Sequence, residues 1–225
     1  MGGVFYILMG VSGGLAGFAR RGLIVSGDAA ATATNIVAHP SAYLLGFSGE
    51  LFVVACYVVV VALFYRMLEP VNGTVSLTAA YLGLMGCAVQ ASALVFYLAP
   101  LTVLGGAPPL GIFTVQELQA LAFMFQKLYS QAYGIAIVFF GFYCLLTGYL
   151  AFKSAFLPRG IGALMMLAGL SWLAFLSPPF AARYFRFVLA GAVGEALFAL
   201  WLVVKGVDAE RWKQRADAAR TPEPS

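Results

Sequence analysis

Charged residues are scarce in this sequence of 225 residues, of which Asp, Glu, Lys and Arg together make up only 10%. A soluble domain of average composition carries about 25% charged residues, because it must cover its surface with polar groups. Hydrophobic residues make up 62%, and they are concentrated in blocks that contain no charge. Such blocks include residues 1–19, 51–65, 70–116, 128–152 and 160–182. This distribution excludes an ordinary soluble domain.

Histidine and cysteine, which supply most metal ligands and many nucleophiles, are also rare. His39 is the only histidine, which excludes a bis-histidine haem site and any multi-histidine metal centre. Cys56, Cys87 and Cys144 lie far apart in apolar blocks, and no two of them have metal-ligand spacing. The sequence contains no phosphate-binding loop. We therefore predict no catalytic residues, no metal and no cofactor.

The apolar blocks are long enough to cross a membrane. A span needs about 20 apolar residues to cross about 30 Å of hydrocarbon, and its backbone must satisfy its own hydrogen bonds, so it must be helical. We predict an all-α fold, a polytopic transmembrane helical bundle with short interfacial helices in its outer loops. The transmembrane domain covers residues 1–204, and a charged, partly disordered cytoplasmic tail covers 205–225. The predicted spans are about 3–24, 42–65, 76–99, 131–152, 160–178 and 185–204.

Two outer connections contain capping signals. Asp28 is placed to cap a short helix over 29–38, which Pro40 ends. Thr114 and Glu117 form a capping-box pattern. This pattern opens a stretch with one apolar side, which we interpret either as a helix at the membrane interface before span four or as a loop helix without lipid contact.

The basic residues orient the chain. With the N-terminus inside, the cytoplasmic connections and tail hold eight Lys and Arg residues, and the outer side holds five. The net charge of +4 comes from these span-end and tail residues, so we predict contact with the lipid bilayer and not with nucleic acid. No basic region precedes the first apolar stretch, so we expect a retained span and not a cleaved signal peptide. The predicted location is a bacterial inner membrane, with both termini in the cytoplasm.

Four polar side chains stand out inside the predicted spans: Glu195, Glu50, Gln90 and Arg20. An ionisable residue at bilayer depth costs a few kcal/mol or more, so it needs a partner or a role. In the predicted topology Glu195, Glu50 and Gln90 share nearly one depth, and Arg20 closes span one from the same side. The four residues are predicted to form one polar cluster. It is either a structural network that fixes helix register or an outward-facing pocket for a small polar ligand or a proton.

Glycines form stripes along two spans. Gly134, Gly141 and Gly148 are spaced by seven in span four, and Gly10, Gly13, Gly14 and Gly17 lie in span one. Small residues let helix backbones approach one another in lipid. We interpret the stripes as packing within the bundle, and a dimer face on span one or four is the alternative.

Four segments together resemble a known family along nearly the whole chain. They are Val25-Ser-Gly-Asp-Ala-Ala-Ala-Thr-Ala-Thr-Asn-Ile36, Val138-Phe-Phe-Gly-Phe-Tyr-Cys-Leu-Leu-Thr-Gly-Tyr149, Lys153-Ser-Ala-Phe-Leu-Pro-Arg-Gly160 and Gly194-Glu-Ala-Leu-Phe-Ala-Leu-Trp-Leu-Val-Val-Lys-Gly206. The sequence resembles the bacterial integral-membrane domain-of-unknown-function family 4386. The resemblance implies a multi-span bacterial protein without an established activity. It also places Asp28, Asn35 and Glu195 within the motifs that carry the likeness.

These patterns support three functions in order. The first is an integral membrane protein that binds or moves a small polar ligand or a proton through the polar cluster. The second is a structural or accessory subunit, acting as a homo-oligomer or with a partner in a larger membrane complex. A membrane enzyme is third. The ligand itself stays unidentified.

Overall fold

The chain folds into helices in the computed structural model, which describes residues 2–105 and 111–220 and, at Arg220, the backbone alone. No strand occurs in these ranges. Within the described residues, six helices are long and apolar enough to cross a membrane, which confirms the predicted polytopic helical class. They are α1 (Gly2–Ala19), α3 (Pro40–Leu68), α4 (Gly73–Leu104), α5 (Val115–Lys153), α6 (Arg159–Trp172, extended by a 3₁₀ turn over Leu173–Leu176) and α8 (Phe185–Val204).

The predicted span ends agree best where proline or charge marks them. Span six, predicted over 185–204, coincides with α8, and α6 begins at Arg159, directly after Pro158. Span one is shorter than predicted. It ends at Ala19, and the chain then turns through Gly22 and Gly27, whose φ angles of 83° and 80° lie in the left-handed region that suits glycine.

Three short helices connect or follow the spans. The predicted loop helix is present as α2 (Ala29–Ala38), with Asp28 as its N-cap. Pro178 begins α7 (Pro178–Arg183), whereas the sequence predicted only the end of span five here. Proline is suited to the first turn of a helix, because the backbone N–H groups of that turn have no acceptor within the helix. The tail forms α9 (Ala209–Arg220). The predicted disorder at 221–225 and part of the predicted break at 105–109 lie outside the described residues.

The second predicted loop helix does not exist as a separate element. Its capping box forms, because the Glu117 carboxylate accepts from the Thr114 backbone N–H at 2.7 Å and from the Thr114 hydroxyl at 2.8 Å. The helix that it opens then continues without a break to Lys153, giving α5 a length of 39 residues. Nothing in the stretch from 118 to 131 breaks a helix, since it contains neither proline nor glycine.

The described residues fall into two compact units along the chain. The first unit contains those of 1–8, 56–87 and 134–225, and the second contains those of 9–55 and 88–133. In the first unit, α5 and α6 pack through facing glycines. A methyl group added at Gly148 would lie 2.8 Å from the Gly162 carbonyl oxygen, and one at Gly169 would lie 2.7 Å from the Gly141 carbonyl oxygen. The glycines of span four therefore pack within the chain, as predicted.

The second unit is centred on aromatic and aliphatic side chains. Tyr43 and Tyr97 are fully buried there, and their ring centroids are 4.6 Å apart. In the N-terminal span, an added methyl group at Gly10, Gly14 or Gly17 would meet nothing within 4 Å. This glycine face of α1 is therefore not packed against the described residues.

Candidate functional site

Glu195 lies near the middle of α8, as the eleventh of its 20 residues. It is partly buried, and each of its carboxylate oxygens accepts a hydrogen bond from a neutral donor. The Tyr6 hydroxyl of α1 donates to Oε1, and the Trp172 indole Nε1 of α6 donates to Oε2 at 2.9 Å. Within the described residues no cationic side chain pairs with Glu195.

Two further hydroxyls lie buried near this carboxyl group in the first unit. Tyr57 and Tyr143 are only 5% and 1% exposed, and among the described residues neither hydroxyl oxygen has a hydrogen-bond partner. The Tyr57 ring centroid is 6.4 Å from that of Tyr6 and 5.8 Å from that of Tyr143. We name Glu195, Tyr6, Trp172, Tyr57 and Tyr143 the glutamate site.

Arg20, Glu50 and Gln90 come together in the second unit. Gln90 Nε2 donates to Glu50 Oε2 at 3.1 Å, and Arg20 Nη1 lies 3.9 Å from Glu50 Oε1. Glu50 and Gln90 are buried, whereas the Arg20 side chain is 25% exposed. The structure thus brings Arg20, Glu50 and Gln90 together, and the fourth member of the predicted cluster, Glu195, belongs to the first unit. We name these three residues the arginine cluster.

Aromatic rings hold the Arg20 guanidinium in place. Its carbon lies 5.0 Å from the ring centroids of both Tyr97 and Tyr129, within the range of a cation–π contact. Arg20 Nη1 also donates to the Tyr129 hydroxyl at 3.3 Å. Gly46 leaves room for this side chain, because a methyl group there would lie 2.9 Å from Arg20 Cγ.

Neutral hydrogen bonds continue from these rings in the second unit. The Tyr97 hydroxyl donates to the Tyr43 carbonyl oxygen at 3.0 Å, and the Tyr43 hydroxyl donates to the Tyr97 carbonyl oxygen. Gln126 Nε2 donates in turn to the Tyr43 hydroxyl. These hydrogen bonds join Tyr43, Tyr97 and Gln126 across α3, α4 and α5.

The loop motif of Asp28 and Asn35 has a structural role. Asp28 Oδ1 accepts from the Ala31 backbone N–H at 2.8 Å and caps α2, and Asn35 Nδ2 donates to the Gly22 carbonyl oxygen at 3.0 Å. These bonds fix the turn after α1 against α2. Both residues therefore shape the loop that leads from Arg20 to α2.

A family model described as a domain of unknown function (DUF4386) matches residues 1–206. The chain belongs to the DUF4386 family. It is also 33% identical over 72 residues to an uncharacterised protein of Archaeoglobus fulgidus, an alignment that covers 32% of this chain and 44% of that protein. The chain thus spans less than half the length of this relative. No solved structure matches significantly.

The DUF4386 match covers the glutamate site and the arginine cluster entirely, and α9 lies beyond it. Among the described residues of this DUF4386 chain, no group of three or more His, Cys, Asp or Glu side chains is placed to hold a metal ion. Cys56, Cys87 and Cys144 are free and buried.

Sequence reasoning missed the partners of Glu195 and part of the tyrosine and glutamine network. The sequence did not indicate that Tyr6 and Trp172 contact Glu195, because helical periodicity does not show which spans are neighbours. Gln126 is a polar residue of the stretch for which one apolar side was predicted, and it is only 5% exposed. The sequence did contain one usable signal, because Gly46 and Glu50 are four residues apart and so share one face of α3.

Proposed function

We propose that this DUF4386 protein binds a proton or a small polar ligand at the glutamate site. One observation carries the proposal. Glu195 lies in the middle of a membrane-spanning helix, and both of its hydrogen-bond partners among the described residues are neutral donors. A carboxylate at that depth without a counter-ion costs several kcal/mol. A proton or a polar ligand bound at the carboxyl group would remove that cost.

The buried hydroxyls of Tyr57 and Tyr143 support the same proposal. A buried polar group without a partner loses the hydrogen bonds that it makes with water, at a cost of about 1–3 kcal/mol. Such groups are rare in native structures, and those that exist usually have a functional or hydration role. Two of them near an ionisable carboxyl group add hydrogen-bonding capacity for a ligand.

Infrared difference spectroscopy on the purified protein, titrated through pH, tests the proposal directly. We expect a carboxyl C=O stretching band that changes with pH and is lost in Glu195→Gln, which keeps the shape of the side chain. Glu69→Gln is the matched control, because Glu69 is an exposed carboxylate paired with Arg66 at 3.3 Å. It should keep the band.

Proton uptake into vesicles separates binding from movement. Wild-type protein in vesicles that contain a trapped pH-sensitive dye should carry protons under an imposed potential, and Glu195→Gln should not. A pH-dependent carboxyl band without proton uptake into the vesicles would support proton binding but not proton movement. The proposal is wrong if Glu195→Gln keeps every titrating band of the wild type and the wild type carries no protons.

The arginine cluster is charge-balanced, so we assign it to positioning. Arg20 and Glu50 carry opposite charges, and the Gln90 amide takes the second carboxylate oxygen. A small polar ligand could enter this cluster only by displacing one of these contacts. We therefore infer that it fixes the turn after α1 against α3 and α4.

The distribution of basic residues supports an orientation with both termini in the cytoplasm. Reporter fusions after Asn72 and after Thr114 test it, with a phosphatase that is active only outside and a fluorescent protein that is active only inside. We expect fluorescence at Asn72 and phosphatase activity at Thr114. The opposite pattern would reverse the orientation.

One observation favours the accessory-subunit alternative. Gly10, Gly14 and Gly17 of α1 have open space where a methyl group would stand, although small residues in membrane helices usually lie at helix contacts. If a partner helix covers this face, Gly14→Ile should release a co-purifying protein or convert an oligomer to a monomer, as measured by light scattering after size-exclusion chromatography. A wild-type monomer without a partner would contradict this alternative.

A further inference from the structure

A cavity of about 500 Å³ lies where three membrane-spanning helices of the first unit end. The loop between α5 and α6 lines one side with residues 155–158, and the end of α8 lines the other with Trp201 and Lys205. Asp208 and Arg211, at the start of α9, complete the wall. The Asp208 backbone N–H donates to the Phe156 carbonyl oxygen at 3.2 Å, so the two sides are held together.

Two residues that line this cavity, Trp201 of α8 and its C-cap Lys205, carry N–H donors. Trp201 and Lys205 are four residues apart and therefore share a helix face. The Trp201 indole Nε1 is buried and, among the described residues, has no hydrogen-bond partner. Lys205 makes no ion pair with any described carboxylate. A neutral N–H donor and a free ammonium group, side by side, are suited to an anionic oxygen ligand.

The remaining charges of the wall do not cancel this pair. Among the described residues, Asp208 is the one carboxylate that lines the cavity, and it already has a partner. Its Oδ2 lies 3.2 Å from Arg211 Nε, and its Oδ1 accepts from the Arg211 backbone N–H at 3.1 Å. The cavity wall therefore contains two cationic side chains, Lys205 and Arg211, and one carboxylate, Asp208, so its net charge is positive.

The backbone adds to the positive character of the wall. Pro158 lines the cavity and is the N-cap residue of α6, and no side chain caps that helix. The first N–H groups of a helix carry a partial positive charge and favour anions. The site does not depend on this end alone, because the side chains of Trp201 and Lys205 are independent of it.

We propose that this cavity binds a phosphate group, either of a membrane phospholipid or of a soluble phosphate ester. A phosphate oxygen accepts from Trp201 Nε1, and the Lys205 ammonium and the wall's net positive charge balance the negative charge. The cavity lies beside Lys153, Arg159 and Lys205, the residues that close α5, open α6 and follow α8. Basic residues at span ends mark the level of lipid headgroups. The proposal involves none of the residues of the glutamate site and stands apart from the proposed function.

Native mass spectrometry of the full chain tests the site. The protein is purified with an equal mixture of phosphatidylglycerol and a glucosyl diacylglycerol, a lipid that has no phosphate. We expect the wild type to retain phosphatidylglycerol selectively. Lys205→Gln and Trp201→Phe should each lower its affinity about tenfold, since a hydrogen bond to a charged group has about that effect. Lys205 is exposed, so its substitution leaves the fold intact.

Lys213→Gln is the matched control, because it removes the same charge from an exposed position of α9 that does not line the cavity. It should retain phosphatidylglycerol as the wild type does. Equal losses in Lys213→Gln and Lys205→Gln would overturn the proposal in favour of a general charge effect. Unchanged affinity in Trp201→Phe would overturn it as well, because the site requires the indole donor.

Inorganic phosphate distinguishes the two sources of the ligand. If millimolar phosphate displaces phosphatidylglycerol and raises the melting temperature of the wild type but not of Lys205→Gln, the cavity accepts soluble phosphate groups. If phosphate has no effect while phosphatidylglycerol is retained selectively, the ligand is a lipid headgroup. Equal retention of both lipids with no effect of phosphate would overturn the proposal.

Discussion

Arg20 and Glu50 depend on each other more than a surface pair does. Glu50→Gln leaves the arginine without a counter-ion near buried tyrosine rings. Breaking a buried ion pair costs about 3–5 kcal/mol, and the 25% exposure of the Arg20 side chain reduces the expected loss of unfolding free energy to about 2–3 kcal/mol. The measurement is thermal or denaturant unfolding in detergent.

The surface pair of Arg66 and Glu69 provides the control. Its side chains are 72% and 40% exposed, and exposed pairs contribute about 0–1 kcal/mol. Glu69→Gln should therefore change stability by less than about 1 kcal/mol. If the two substitutions cost the same, Arg20 and Glu50 do not stabilise the second unit.

The buried tyrosine hydroxyls divide into two classes with opposite expected effects. Tyr143→Phe removes a hydroxyl that has no partner among the described residues, so it should leave the protein equally stable or more stable. Tyr43→Phe removes a hydroxyl that bonds to Gln126 and Tyr97 and should cost about 1–3 kcal/mol. A large loss of stability in Tyr143→Phe would show that its hydroxyl has a bound partner.

At the scale of elements, helix contact through glycine makes α5 and α6 sensitive to a single methyl group. In Gly148→Ala the new methyl group would lie 2.5 Å from the Met166 backbone nitrogen, so the two helices must separate. Overpacking of this kind costs about 1–3 kcal/mol. Gly14→Ala has open space and a better helix former, so it should be neutral or stabilising in the isolated chain. Melting temperatures of the two variants provide the comparison.

The sequence predicted single elements well and their partners poorly. Charge-free blocks, Asp28 and Pro158 mark where helices begin, because span length and capping are local properties of the chain. The continuity of α5 was missed because Gln126 and Lys127 interrupt its apolar pattern, although polar residues do not break a helix. Depth alone predicted one cluster of Arg20, Glu50, Gln90 and Glu195, and the structure brings the first three of these together. Depth could not predict that Tyr6 and Trp172 donate to Glu195, because this contact depends on which spans are adjacent.

At the scale of the whole molecule, the tail is attached to the end of α3 and to the loop between α5 and α6. Trp212 Nε1 donates to the Met67 carbonyl oxygen at 2.9 Å, and Arg211 Nη1 donates to the Ala155 carbonyl oxygen at 3.3 Å. In Trp212→Ala we expect trypsin to cleave α9 several times faster and the spans to stay intact, as followed by mass spectrometry. Gln214→Ala, at an exposed position of the same helix, should be cleaved at the wild-type rate. Equal rates in both variants would show that α9 is not attached through Trp212.

The length of α5 has a consequence for the membrane around the molecule. At about 1.5 Å per residue its 39 residues extend about 58 Å, whereas the 18 residues of α1 extend about 27 Å. The usual tilts of up to about 40° cannot fit so long a helix into about 30 Å of hydrocarbon. The short spans therefore match only one bilayer thickness. The helix α5 can cross bilayers of different thickness, because the number of its first turns that lie in water can change. In a thicker bilayer the mismatch would arise at α1 and at the equally short span Arg159–Leu176, so the lipids beside these helices would have to thin.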